Sequence, residues 1–190
     1  MQTSENSLMK NLKKIAFICF IFFAVSCKNS SKADAQRIMG DWFLKTILFP
    51  DKIELVNKAL LSKENWYVIP NQKKYTVLHY FMADCDKCIE ELAQAQQYIA
   101  KKNDPTVDYI FLASGPTRFY VDEAIKKLNF KSPVYFEKEY WAFKTKNNFP
   151  LNEKTYDTIL LNQKRQIVLF GGVFNNEKAQ KLFDHYVAEN

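Results

Sequence analysis

Glycine and histidine are scarce, and each shortage counts against a class of function. Four glycines in 190 residues leave no G-x-x-x-x-G-K and no G-x-G-x-x-G, so the chain lacks the loops whose backbone cradles a nucleotide phosphate. Gly171-Gly172 follows an apolar run and reads as a turn or bulge. Only two histidines are present to supply imidazoles, which disfavours a metal centre. His79 lies inside an apolar run and reads as a packed strand residue, and His185 lies inside a helical pattern as a solvated position. No repeat or low-complexity segment appears. Also missing is an apolar run of membrane-spanning length, about 20 residues. The run near the start is only about a dozen residues long, which is the length of a signal-peptide core.

That run is Lys13 to Cys27, KKIAFICFIFFAVSC: two lysines, an apolar stretch, then small residues. It has the pattern of a secretory signal over residues 1–26, with an uncleaved anchor helix as the alternative. Met9-Lys10-Asn11 makes a more typical signal start than Met1. Ala24-Val25-Ser26-Cys27 resembles a bacterial lipobox, which implies that Cys27 is acylated and opens the mature chain. The expected setting is a bacterial cell envelope, with the protein lipid-anchored and facing the periplasm or the exterior. Residues 27–34 then form a polar tether, and residues 35–190 are long enough for one domain with a sizeable core. Losing residues 1–26 removes three of 27 basic and one of 21 acidic residues, so a net +6 becomes +4. So small an excess, spread along the chain, is a poor footprint for nucleic acid, and no nucleic-acid partner is expected.

Cysteine changes most. Cys19 leaves with the signal and Cys27 carries lipid, so Cys85 and Cys88 are the only thiols left of four. In an oxidising compartment a close pair with no competitor tends to form a disulfide with itself. Three uses remain open for the pair: redox chemistry, a structural disulfide, or part of a metal site. Metal is disfavoured because only His79 and His185 can add imidazoles.

Residues 35–74 form an N-terminal extension with few clear signals. Thr46 to Pro50 suggests a short strand, Ile53 to Leu61 is ambiguous, and Trp66 to Pro70 suggests another strand. From Tyr75 the pattern sharpens. YTVLHYF, Tyr75 to Phe81, is a strand; Ile89, Leu92, Ala93 and Ile99 then recur with helical period; and VDYIFLA, Val107 to Ala113, is apolar enough for an interior strand. Arg118 to Leu128 reads as an amphipathic helix, Pro133 to Phe136 as a strand and Glu139 to Lys146 as a helix. Thr158–Leu161 and Gln166–Phe170 read as a hairpin. A last helix places Ala179, Leu182, Phe183, Tyr186 and Val187 on one face. Most of the aromatic cluster Tyr140, Trp141 and Phe143 is expected in the core, with Trp42, Phe43 and Trp66 covering an edge or face of the sheet. This order implies an α/β fold, a mixed central sheet with helices on both faces.

With YFMADCDKC at the start of the first of these helices, the later TILLNQKRQIVLFGG and the preceding KTKNNFP, residues 43–187 resemble a thioredoxin-like domain. The likeness is to TlpA-type thiol-disulfide oxidoreductases, especially the lipoprotein relatives of Bacteroidetes. The resemblance implies catalytic roles for Cys85 and Cys88 and no cofactor. The implied partners are a disulfide-bearing protein or small molecule and a separate redox partner. Cysteines three apart in the first turn of a helix share a face, and the unpaired N–H groups and dipole there stabilise a thiolate. Cys85 is then the attacking sulfur and Cys88 the resolving one. Lys87 favours the thiolate electrostatically, whereas Asp84 and Asp86 oppose it. Two positions depart from thioredoxins. Asp84 stands where an aromatic residue is common, and Tyr156-Asp157 precede Thr158 where a cis-proline begins the strand; Pro150 lies too early to replace it. The expected consequence is slow exchange with protein disulfides and easier exchange with small ones. The alternative function is a redox-inert binding module with Cys85–Cys88 as a permanent staple.

Overall fold

The computed structural model describes residues 36–58, 69 and 73–189. Readings of the signal, the tether, Cys27 and Trp66 fall outside them. The chain divides into two compact units, Met1–Trp42 and Phe43–Asn190. Of the first, residues 36–42 are described and are helical.

The second unit is built on a six-stranded sheet. Its strands are β1 (Ile53–Leu55), β2 (Tyr75–Met82), β3 (Val107–Ser114), β4 (Val134–Glu137), β5 (Thr158–Asn162) and β6 (Ile167–Phe170). They lie in the order β1-β4-β3-β2-β5-β6. β2, β3 and β4 are mutually parallel, and β1, β5 and β6 pair antiparallel with their neighbours. Parallel neighbours require crossovers. These are the helices α1 (Asp86–Lys102) and α2 (Arg118–Leu128); α3 (Ala142–Lys146) and α4 (Glu177–Glu189) follow.

β2 is central because both its faces are apolar. Tyr75, Val77 and Phe81 join one core cluster with Leu92 of α1, Val121 of α2 and Phe183 of α4. On the other face Tyr80 stacks on Phe143 of α3, and Phe143 also meets Phe49 and Phe149. Three long helices therefore cover one face, whereas one short helix and irregular chain cover the other.

Two expected elements come out differently. Thr46–Pro50 is not a strand: Thr46 makes one isolated bridge to Gln166, flanked by Leu44 N–H donating to Ile167 O (2.8 Å) and Ile47 N–H to Arg165 O (3.0 Å). The segment covers the edge of β6, and pairing stops at Leu48. There the Asn147 side chain takes both backbone groups, accepting from Leu48 N–H at 2.8 Å and donating to Leu48 O at 2.8 Å. The helix expected from Glu139 starts at Ala142, because Trp141 has a left-handed backbone, φ 60°. Its N–H donates to Ser114 Oγ (3.0 Å) and its indole to Met82 Sδ (3.1 Å), which turns the chain out of helical register.

Burial corrects two aromatic readings. Phe143 is fully buried, but Tyr140 is half exposed and Trp141 lies at the boundary, and Phe43 is also half exposed. His185 is solvated as expected and faces Glu189. Gly171 turns the chain after β6 with φ 140°, a conformation that suits glycine. Among the described residues no helix is long and apolar enough to cross a membrane.

Candidate redox site

β2 delivers the chain to Ala83, Asp84 and Cys85 at the C-terminal end of the parallel strands, the end at which open α/β sheets place their sites. Ala83 is fixed there by its N–H donating to Ser114 O (2.7 Å). Gly115 lies so close that an added Cβ would stand 3.2 Å from Ala83 Cβ. The base of the cysteine loop is thus held against the end of β3.

Cys85 is the N-cap of α1, with extended backbone, φ −116° and ψ 108°. Its carbonyl accepts from Cys88 N–H (2.9 Å) and Ile89 N–H (3.1 Å), and its Sγ lies 3.3 Å from Cys88 N, within reach of that N–H as donor. The sulfur occupies the place where a capping oxygen would sit, beside the first turn of the helix. Cys85 and Cys88 are joined as a disulfide, with Cα atoms 5.2 Å apart. Cys85 is half buried and Cys88 is buried at 7% exposure, so an attacking group can reach only the first sulfur readily. Asp84, Asp86 and Lys87 are all exposed around them. Partial burial, and after it the charge of Asp84, raise the Tyr140 phenol above its usual range.

On the sheet face that α3 covers lie buried polar groups that the sequence did not single out. Glu137, at the end of apolar β4, is fully buried. It accepts from Tyr80 Oη–H (2.9 Å) and Phe143 N–H (2.7 Å). Burial pushes its carboxyl upward against those hydrogen bonds. Lys144 is also buried and pairs with Asp157 at 2.7 Å. Burial raises the Asp157 carboxyl while the Lys144 ammonium opposes the rise. The signal for Glu137 was a lone charge ending an apolar strand. For Lys144 the linear pattern holds none.

His79 is a packed strand residue, as expected. Its Nδ1 lies 2.9 Å from Thr158 Oγ1, and its ring meets Phe81, Phe111 and Phe174. Nε2 is buried without a partner, and the residue borders a cavity of about 50 Å³ together with Glu91, Lys154 and Asp157. Burial, aided by the Lys154 charge, pushes the imidazole down to about 3. Among the described residues no cluster of three or more His, Cys, Asp or Glu could hold a metal ion. No peptide bond is cis among them, and Asp157 directly precedes β5.

No protein-family model and no curated protein matches the sequence. Solved structures do match. A candidate thiol-disulfide oxidoreductase from Bacteroides vulgatus, solved in solution, superposes with a TM-score of 0.54 at 13% identity, covering 76% of this chain and 93% of that one. The chain has a thioredoxin fold. The thioredoxin domain of a thiol-disulfide oxidoreductase from Bacteroides vulgatus gives 0.51 at 11% identity, covering 73% and 98%. The C-terminal domain of a candidate thiol-disulfide oxidoreductase from Bacteroides thetaiotaomicron gives 0.50 at 12% identity, covering 62% and 80%. The thioredoxin-fold neighbours are thus thiol-disulfide oxidoreductases, and in this chain a Cys-x-x-Cys disulfide opens α1.

Proposed function

We propose that this chain is a thiol-disulfide oxidoreductase of the TlpA type, working outside the cytoplasm and held at a membrane by lipid on Cys27. The observation that carries the exchange reading is the position of Cys85 as the half-exposed N-cap of α1, with the Cys88 N–H of the first turn 3.3 Å from its sulfur. A thiolate at that place is favoured by that donor and by the helix dipole. The signal-like residues 1–26 and the Ala24-Val25-Ser26-Cys27 junction support the anchoring.

In the reducing direction the Cys85 thiolate attacks one sulfur of a substrate disulfide, forms a mixed disulfide and releases the other sulfur as a thiolate. Cys88, its proton lost, then attacks Cys85 Sγ, restores the internal disulfide and releases the second substrate sulfur. Two electrons pass to the substrate, and two protons end on its thiols. A separate dithiol partner returns the pair to the reduced state, and oxidation of a substrate is the same sequence reversed.

The test exploits the asymmetry of the two sulfurs. Cys88→Ser should retain a reactive thiol that releases the chromophore of a small aromatic disulfide rapidly and stays trapped as a mixed disulfide, whereas Cys85→Ser should not. Equal and slow release from both variants, at the rate of an ordinary exposed thiol, would remove the catalytic reading and leave Cys85–Cys88 as a staple in a redox-inert module.

A further inference from the structure

Lys144 has only 4% of its side chain exposed. Its ammonium donates to two carbonyls, Leu151 O at 3.1 Å and Glu153 O at 3.3 Å, and pairs as an ion with Asp157 Oδ1 at 2.7 Å, all in one segment. The ammonium also lies 5.3 Å from the centre of the Tyr80 ring. One buried cation therefore pins the connection between α3 and β5.

The topology brings this connection to the disulfide. β5 runs antiparallel to β2 with Thr158 opposite His79, and Asp157 O accepts from Tyr80 N–H (2.6 Å). Residues just before Thr158 consequently emerge at the end of the sheet where β2 delivers Cys85. The connection also reaches α1, where Lys154 Nζ stands 3.9 Å from Glu91, one turn beyond Cys88. Between these anchors Leu151, Asn152, Glu153 and Lys154 are exposed and form a rim beside the disulfide helix.

We propose that Lys144 is a positioning residue for exchange with polypeptide disulfides: it holds residues 151–157 as a fixed wall beside α1, along which the chain carrying the substrate disulfide lies. The inference rests on the thiol-exchange reading above. Lys144 takes no part in the sulfur chemistry. A small disulfide needs only the exposed sulfur, whereas a disulfide within a polypeptide brings flanking backbone that must be accommodated. A wall ordered before binding spares that encounter the entropy of fixing it.

The experiment uses the full chain, reduced, with and without Lys144→Met, and compares a small aromatic disulfide with a short disulfide-bonded peptide. For the peptide, kcat/KM should fall roughly tenfold or more, through KM, while the small disulfide changes by less than about twofold. Amide hydrogen exchange should quicken in residues 151–157. An equal fall on both substrates, or none on the peptide, would overturn the proposal. Removing one member of a buried ion pair can unfold a protein, so the companion is Lys144→Met with Asp157→Leu, which removes both charges. This double variant should fold and show the same selective loss, because Leu151 O and Glu153 O still lose their donor; peptide exchange like that of the parent would overturn the proposal. A parent chain inert toward both disulfides would instead remove the exchange reading, and this inference with it.

Discussion

The imidazole of His79 is stable as a neutral ring and unstable as a cation. Thr158 satisfies one nitrogen, the other is buried without a partner, and aromatic rings enclose the rest. Its folded value of about 3 lies below the ordinary 6.5. Between these limits the unfolded chain binds a proton that the folded chain refuses, so stability falls as pH drops from about 6.5 toward 3 and is fully retained above that window. The limiting slope is about 1.4 kcal/mol per pH unit. Glu137 and Asp157, whose carboxyls burial raises, contribute with the opposite sign. Urea unfolding of the parent and of His79→Gln, compared from pH 7 to 4, isolates the histidine. The variant should lose less stability than the parent over that range, and parallel curves would refute the buried neutral ring. At this scale the site was half legible. Cys85 and Cys88 stand three residues apart and announce themselves by spacing, but the Tyr80–Glu137 bond spans 57 positions, and nothing local marks a lysine such as Lys144 as buried.

Elements were legible where local pattern and tertiary burial agree. β2 and β3 are apolar on both faces, and α2 is amphipathic from Arg118 to Leu128, so their bounds follow from the pattern to within a residue. The pattern failed where a distant partner decides. Asn147 ends the pairing of residues 44–47, and Ser114 with Met82 captures Trp141 and delays α3. Helix ends carry their own signal. α1 closes on Asn103 in the left-handed region, φ 44° and ψ 41°, its N–H donating to Ile99 O. Asparagine tolerates that conformation and glycine adopts it freely, whereas a plain Cβ raises its energy. Asn103→Ala should therefore destabilise the domain by about 1 kcal/mol, and Asn103→Gly should leave the melting temperature nearly unchanged. Equal melting temperatures for the alanine and glycine variants would mean that the helix ends elsewhere in solution.

For the whole molecule, strands β2 to β6 and the helices between them were legible as a mixed α/β architecture because each parallel crossover joins neighbouring strands by a single helix, whereas β1 lay in a stretch of ambiguous pattern. The uneven covering of the two faces was not legible, since the second face is closed by chain without regular period: residues 44–50, α3 and the connection to β5. The proposed attachment rests on a different part of the chain. The described helices include none that can span a bilayer, and the reading of an anchor rests on Lys13 to Cys27, where a short apolar run ends in Ala24-Val25-Ser26-Cys27. A single acyl chain binds a membrane only marginally, so stable anchoring takes more than one chain, and all of them are expected to depend on Cys27. Expressed in a bacterial host with labelled palmitate, the parent should yield a labelled, membrane-associated species shorter than the full translation product. Cys27→Ser should yield no label and a chain that keeps its full length, while Cys85→Ser should leave label and length unchanged. Finding the same labelled, shortened, membrane-bound species with and without Cys27 would sink the lipid anchor while leaving the thioredoxin fold and the chemistry of Cys85 intact.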